Sequence, residues 1–383
     1  MTDSVIAGVA EPLQGRTDWA NTLELQHWLI RAAADDAHIP TQEIDAVISV
    51  PPRAGGFLVD AAAISERMGL QPRLAFSVEA GGTAPILMLA LARSLIAAGE
   101  AQNVAIVSAD LPLTQVGRRE YGANLAHSGG PVHPWIEAPF GPTAVTLFAL
   151  MASRHMFEFG TTSDHLAAVA LQDRRRAASH PNAHMRGALS RAQYEASRWV
   201  SAPLRLLDCA PVSDGGGALI VSGAGHSEAP KPVAVRAARQ STSHLHLSSA
   251  PALAQFDATA LVDAVLGDAA MARSDVDAAF VYDCFSIAML LSLEALGFAA
   301  PGAAGPMFAE GYFDLGGTLP INTHGGLLSH GHPGRAGGIG NVVEGVLQLR
   351  GDAGSRQLAG CSAVLVHGMT GAFAQQGVAV LAA

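Results

Sequence analysis

The sequence predicts an α/β protein made of two similar, layered halves, and two observations carry that prediction. The run Asp45-Ala46-Val47-Ile48-Ser49-Val50 is echoed 232 residues later by Asp277-Ala278-Ala279-Phe280-Val281-Tyr282. In the first half a helix after Gly82 leads to the apolar run Val104–Ser108; in the second a helix after a histidine-rich loop leads to Ala363-Val364-Leu365-Val366-His367. Short continuous apolar runs between helices suit strands covered on both faces, and the repetition suits a duplicated unit.

The elements follow in order. Val5–Val9 is the opening strand, and Leu23–Ala37 carries helical spacing through Leu25, Trp28, Leu29, Ala32 and Ala33. The Asp45–Val50 strand ends at Pro51-Pro52. Leu74–Val78 is a strand, Glu79-Ala80-Gly81-Gly82 a turn, and Thr83–Ala98 an apolar helix. From about 112 to 204 Gly, His, Pro and Arg are frequent and the helical stretches (143–159, 163–178, 191–200) are interrupted, which marks an insertion over the core. Ala218–Val221 returns to a buried strand, and Ser222–Pro232 is a linker. The expected units are therefore 1–225, including the insertion, and 226–383. The second opens with a strand at Val233–Ala237 and a helix at Ala258–Ala272.

Composition narrows the function. The chain has 383 residues, of which 49% are apolar and 15% charged, so it has material for large buried surfaces and an oligomer interface. A formal net charge of −10 argues against a general nucleic-acid or membrane-surface binder. The apolar runs are too short to cross a bilayer. Three cysteines, Cys209, Cys284 and Cys361, have no metal-binding spacing, and an odd count without a signal-like start suggests a reducing cytoplasm.

The stretch from Ile321 to Gly338 holds six glycines, three histidines and a proline in eighteen residues. Glycine lets a backbone approach a ligand or another segment closely. The helical pattern Ile339, Val342, Val343, Val346, Leu347 begins at about Arg335, which puts His332 just before a helix N-terminus, a place for an acid/base or an oxyanion donor. Asn322-Thr323-His324-Gly325-Gly326 followed by Gly331-His332-Pro333 and Ala336-Gly337 resembles the active-site histidine loop of thiolases, especially the sterol-carrier-protein type. The resemblance extends over nearly the whole chain and implies a duplicated five-layer αβαβα thiolase fold.

It also implies where the chemistry lies. Matched to the thiolase turn that carries the nucleophilic cysteine, Val78-Glu79-Ala80-Gly81-Gly82 puts Gly82 at the cysteine position, so no acyl-enzyme is expected. Neighbouring Thr83 points about 100° around a helix and is a poor substitute. Cys209, Cys284 and Cys361 are poor replacements too, Cys284 reading best as a small core thiol. Tyr282 stands where the family places an Asn or His, in Tyr282-Asp283-Cys284-Phe285, as in the thiolase-fold aldolases of steroid side-chain degradation. His367, in His367-Gly368-Met369-Thr370-Gly371, falls where many thiolases have an acid/base cysteine and sterol-carrier-type members a histidine.

The expected catalytic set is thus Tyr282, His332 and His367: Tyr282 or His367 as base for a substrate hydroxyl, His332 as donor to an enolate oxygen. Asn322, His324, Gly325, Gly368, Arg174 and Arg175 are the expected substrate or CoA contacts, and Arg176 and Arg186 lie nearby in the insertion. An arginine run on a helix is also what a solvated face looks like. The expected activity is non-covalent aldol or retro-aldol chemistry on acyl-CoA thioesters. The alternatives are a non-catalytic acyl-CoA or lipid-binding subunit, and a conventional thiolase acyltransferase. Coenzyme A enters as part of the substrate, with no separate cofactor and no metal. A homodimer and a small zinc-ribbon/OB-fold partner are implied by the family.

Overall fold

Alternating side chains in fully buried strands set the layers. The computed structural model describes residues 4–53, 55–117, 120–121 and 132–383. Its strands are β1 (Ser4–Ala10), β2 (Ala46–Val50), β3 (Leu74–Ser77), β4 (Asn103–Asp110), β5 (Trp199–Ser201), β6 (Leu204–Arg205), β7 (Gly215–Gly223), β8 (Val233–Thr242), β9 (Ala278–Phe280), β10 (Ala363–Thr370) and β11 (Gln375–Ala382). The helices of the layers are α1 (Thr22–Asp36), α2 (Asp60–Met68) and α3 (Ala84–Ala97), then α4 (Ala144–Phe159), α5 (Ser163–Ala177) and α6 (Arg191–Ala196) in the insertion. After them come α7 (Thr259–Ala269), α8 (Ser286–Ala295), α9 (Ala304–Ala309) and α10 (Ile339–Arg350).

Nine strands form one mixed sheet in the order β3-β2-β4-β7-β1-β8-β11-β10-β9. Read outward from its middle, each side has the same plan: an opening strand, a strand antiparallel to it, then parallel strands at the edge. The two sides join through two residue pairs, Val5 with Ala234 and Ile6 with Val233. The duplication inferred from sequence is visible in this order.

Five layers follow. Val47, Ala105, Val107, Ala218 and Ile220 face outward to Leu25, Leu29, Ile30 and Ala33 of α1 and Ile64 of α2. Their neighbours Ile48, Val104, Ile106, Leu219 and Val221 face inward to α3 and α10. The same two helices cover Phe280, Val364, Val366, Ala379 and Leu381 of the second side, so they form the middle layer. Leu365, Val378 and Val380 face the other way, onto α7 and α8. This is the five-layer arrangement expected from the thiolase resemblance.

The insertion holds α4, α5, α6 and the small β5–β6 hairpin. Leu147, Phe148, Met151, Leu166 and Val169 pack it onto the α8 layer. Some boundaries differ from the sequence reading. β7 runs to Gly223, into the expected linker. The helix after the histidine loop starts at Ile339 rather than Arg335, because a tight turn at Gly334–Ala336 and Gly338, with φ +95°, intervene. Among the described residues, no helix is long and apolar enough to cross a membrane.

Candidate active site

Tyr282 leaves the end of β9 and is held there by a side chain that imitates a strand. Asn322 accepts from the Val281 N–H through Oδ1 at 2.7 Å and donates to the Val281 carbonyl through Nδ2 at 2.9 Å. Asn322 is fully buried at φ +46°, so its work is to register the Tyr282 segment rather than to contact substrate. The next residue, Asp283, accepts from the Leu327 N–H at 2.8 Å and the Leu328 N–H at 3.2 Å, tying the tyrosine segment to the histidine loop. Burial raises the Asp283 carboxyl to about 6.

The histidine loop returns His332 to this point. Its N–H donates to Ser213 Oγ at 3.1 Å and its carbonyl accepts from the Ser213 N–H at 3.2 Å, so a segment just before β7 fixes its backbone. The Tyr282 hydroxyl lies 3.1 Å from His332 Nε2, and the two rings meet edge-on with centroids 6.0 Å apart. Burial lowers His332 to about 4, an effect partly offset by a hydrogen bond between the ring and its own backbone. Burial, with smaller contributions from Cys284 and Tyr121, raises Tyr282 well above an ordinary phenol. At neutral pH the pair is therefore a phenol and a neutral imidazole. In the tautomer that carries the imidazole proton on Nδ1, Nε2 accepts from the Tyr282 O–H.

Gly82 lies beneath this pair, in the tight turn Gly81–Thr83 that opens α3. A Cβ placed on Gly82 would stand 2.3 Å from a Tyr282 ring carbon and 2.3 Å from the Met369 carbonyl oxygen. The tyrosine ring therefore fills the space that any side chain at position 82 would need. Gly368 is bare for a related reason: its Cβ would come within 2.5 Å of the Gly82 carbonyl, so β10 and the turn can touch only without it. Thr83 is buried, donates from Oγ1 to the Ala80 carbonyl at 2.6 Å, and is held by Thr370. It does not replace the missing nucleophile.

Tyr282, His332 and Gly82 line a cavity of about 370 Å³. Phe148, Leu245, Phe285 and Met369 form an apolar wall, while Arg53, Arg335 and Tyr121 line another part. Cys209 and Cys284 also reach the wall, which the sequence reading did not anticipate for Cys209. Burial raises Cys209 to about 12 and Cys284 well above its ordinary value, so both are thiols, not thiolates, near neutral pH.

The structure does not gather all the expected residues here. His367 sits within β10 opposite Val378, buried, and is not among the cavity-lining residues. Burial lowers it to about 4. His324 is buried beside His330, ring centroids 4.9 Å apart, with burial holding it well below its ordinary pKa. Gly325, at φ +103°, lets the loop press on α5: its Cβ would lie 2.6 Å from that of Ala177.

Arg174 is buried and donates to Ser329 Oγ at 3.2 Å, whereas Arg175 is exposed and pairs with Asp314 at 3.4 Å. Neither lines the cavity. Arg176 is buried as well and donates to the carbonyls of Ile321 and Phe313. A run of three on a helix spans about 200°, so it cannot all face solvent. Arg174 and Arg176 brace the histidine loop, and among the described residues the cations lining the cavity are instead Arg53 and Arg335. Arg53 carries no sequence signal beyond following a proline turn.

A second cluster lies behind the loop. His180 Nε2 and His330 Nε2 each stand 3.3 Å from the Glu11 carboxylate, one on each oxygen. The Asn182 N–H donates to His180 Nδ1 at 3.2 Å, so that imidazole carries its proton on Nε2, toward Glu11. Burial would raise Glu11, but His330, His180 and Asn182 together bring it down to about 2.

With this geometry in place, the comparisons with known proteins fit. A family model described as thiolase C-terminal domain-like matches residues 239–383. An acetyl-CoA acetyltransferase of Methanothermobacter thermautotrophicus is 34% identical over 88% of each chain. A steroid side-chain-cleaving aldolase of Thermomonospora curvata is 30% identical over 91% of this chain and 90% of its own. The chain belongs to the thiolase superfamily. Among solved structures, an Ltp2-ChsH2(DUF35) aldolase superposes with a TM-score of 0.86 at 28% identity, covering 100% of this chain and 98% of that one.

Proposed function

We propose that the protein is an acyl-CoA lyase that breaks, or in reverse forms, the C2–C3 bond of a 3-hydroxyacyl-CoA without a covalent intermediate. The observation that carries this reading is the Tyr282–His332 hydrogen bond of 3.1 Å standing in the space of an absent side chain at Gly82. A thiolase reaction needs a nucleophile to carry the acyl group, and position 82 has none. Retro-aldol cleavage needs a base for the 3-hydroxyl and a site for the resulting enolate.

Tyr282 as an un-ionised phenol is a weak base alone. Coupled to His332 it can take the substrate's hydroxyl proton while passing its own to Nε2. The C2–C3 electron pair then moves to the thioester, giving a free carbonyl compound and an enolate. The proton on His332 returns through Tyr282 to C2 and completes the acyl-CoA product. The start of α3 is already occupied: the Thr83 N–H donates to Thr370 Oγ1, the Ala84 N–H donates to the Gly81 carbonyl, and Pro85 has no N–H. The enolate oxygen is therefore assigned to the Gly81-Gly82 backbone that lines the cavity. This gives His332 the role of proton acceptor in place of the enolate donor expected from sequence, and leaves His367 out of the reacting set.

The names of the aldolase relatives support the reaction class. The ChsH2(DUF35) chain named with the superposed aldolase supports a small partner subunit. The test is cleavage of 3-hydroxyacyl-CoA substrates by the purified protein, alone and with a DUF35-type partner, followed by mass spectrometry of both products. Turnover that Tyr282→Phe abolishes supports the lyase. Substrate binding with no turnover under either condition leaves a non-catalytic acyl-CoA binder instead.

A further inference from the structure

Behind the histidine loop, away from the catalytic cavity, three distant segments meet at one carboxylate. Glu11 follows the end of β1, His180 follows α5, and His330 belongs to the loop itself. Both imidazoles are buried, and their rings meet edge-on with centroids 4.6 Å apart. One carboxylate oxygen and one nitrogen from each ring all lie within 4.8 Å of one another.

The contacts are poor as hydrogen bonds. Each Nε2 stands 3.3 Å from its carboxylate oxygen, beyond the usual range of about 2.7–3.2 Å for N–H···O. His330 is 3% exposed, and its Nε2 makes no hydrogen bond of ordinary geometry. Two donors held at about 2.0–2.1 Å by one tetrahedral ion stand about 3.3 Å apart. The spacing is that of ligands around a shared cation. The Glu11 side chain is 8% exposed, and among the described residues no lysine or arginine pairs with it. The neighbouring Glu344, 3.7 Å from His180 Nε2, already has a cation in Arg356, through two bonds at 3.0 and 2.8 Å. Buried carboxylates are stabilised by a paired cation or by a metal.

We infer that Glu11, His180 and His330 form a binding site for one divalent transition-metal ion of the zinc class, tying β1 and the insertion to the histidine loop. Two imidazoles and a carboxylate suit zinc or cobalt rather than calcium or magnesium, which take oxygen ligands. Glu11 and His180 line a cavity of about 360 Å³ on this side, which supplies a path in and a solvent ligand to complete four. The Asn182 side-chain amide steadies the carboxylate by donating to it at 3.1 Å. The Asn182 backbone opposes the metal, because its N–H sits on His180 Nδ1 at 3.2 Å. That nitrogen must take up the proton Nε2 gives away, so the site is weaker than one whose imidazole has an acceptor behind it. His332 faces the catalytic cavity while His330 faces Glu11, so the ion braces the loop from behind and takes no part in cleavage. The ligands are far apart in the chain and follow no spacing motif, which is why the sequence pointed to no metal.

This site is independent of the lyase reading, and its test reads metal rather than turnover. The full chain is stripped with a chelator, dialysed, titrated with cobalt(II) and then challenged with zinc(II). Expected are one equivalent per chain, the visible d–d bands of a four-coordinate nitrogen–oxygen site without a thiolate band in the ultraviolet, and displacement by zinc. Glu11→Gln, which keeps the size of the side chain, and His330→Asn should each weaken binding by more than the about 10- to 100-fold that loss of an outer partner costs. Zinc should raise the thermal midpoint of the wild type and leave that of Glu11→Gln unchanged. The wild-type spectrum decides the ligand type even where a variant fails to fold. Absence of stoichiometric binding overturns the site, as does undiminished affinity in variants shown to be folded by circular dichroism. A thiolate band overturns it too, by moving the ion to a cysteine.

Discussion

Two groups of histidines come from one eighteen-residue loop and end in different surroundings. His332 meets a phenol at 3.1 Å on the wall of a cavity. His330, two residues earlier, points into the protein at a carboxylate, with His180 and His324 packed around it. Gly331, at φ +154°, lies between them against the Gln14 side chain. The contrast teaches that histidine density in a sequence marks a place where the backbone turns sharply, not the number of groups in the chemistry. Open volume and a proton partner separate the working ring from the structural ones.

That comparison can be broken first at its working end. Tyr282→Phe keeps the ring that packs on Gly82 and removes only the hydroxyl, so cleavage should fall by about 10²–10⁴-fold with the thermal midpoint little changed. An unchanged rate would remove Tyr282 from the reaction. The opposite result is expected on the buried side. His330→Ala leaves the Glu11 charge without one of its two imidazoles, which should cost about 3 kcal/mol in urea unfolding while the folded fraction keeps its catalytic rate. Loss of rate with full stability would reverse the two roles.

Gly82→Ala sharpens the contact between the regions. Overpacking against the Tyr282 ring and the Met369 carbonyl should cost about 1–3 kcal/mol. Tyr282→Ala in the same chain should recover part of that cost, because the two positions share one volume. Additive losses in the double-mutant cycle would mean the ring and the turn do not compete. For the same reason Gly82→Cys alone should not confer thiolase turnover.

The smallest expected effect is in pH. His332 accepts a proton only when neutral, and its pKa is lowered to about 4. Cleavage should therefore hold level from pH 7 down to about 5 and fall as pH drops through about 4. A lowered folded pKa also means that the buried imidazole's preference for the neutral state is fully present above the unfolded value of about 6.5, and is lost as pH falls through about 4. Glu11 works in the same direction, its contribution present above about 4.3 and lost toward about 2. Stability that rose on acidification would contradict both assignments.

The layers, and the placing of Tyr282 and His332 at one site, were legible because buried strands have a plain apolar pattern and the loop motifs are dense. Other features left no such trace. α8 is apolar on all sides, so Ser286–Ala295 shows little helical periodicity, and it was not foreseen. Ser213 reaches His332 through its own N–H and Oγ, next to a single isolated bridge between Val212 and His332. Arg53 and Arg335 are 282 residues apart and meet only when the sheet order brings the turn after β2 beside the histidine loop. Arg174 and Arg176 look like surface charge because composition cannot show that a carbonyl or hydroxyl waits inside for each.

The bare backbone at position 82 restricts the routes by which such a protein can change its trade. A chain holding a thiol there has no room for the tyrosine, and a chain holding the tyrosine has none for the thiol. Any path between carrying an acyl group and splitting a hydroxyacyl chain must cross a form with neither tool, or change both places at once. The two chemistries are neighbours in shape and yet are separated by a step that no single codon can take.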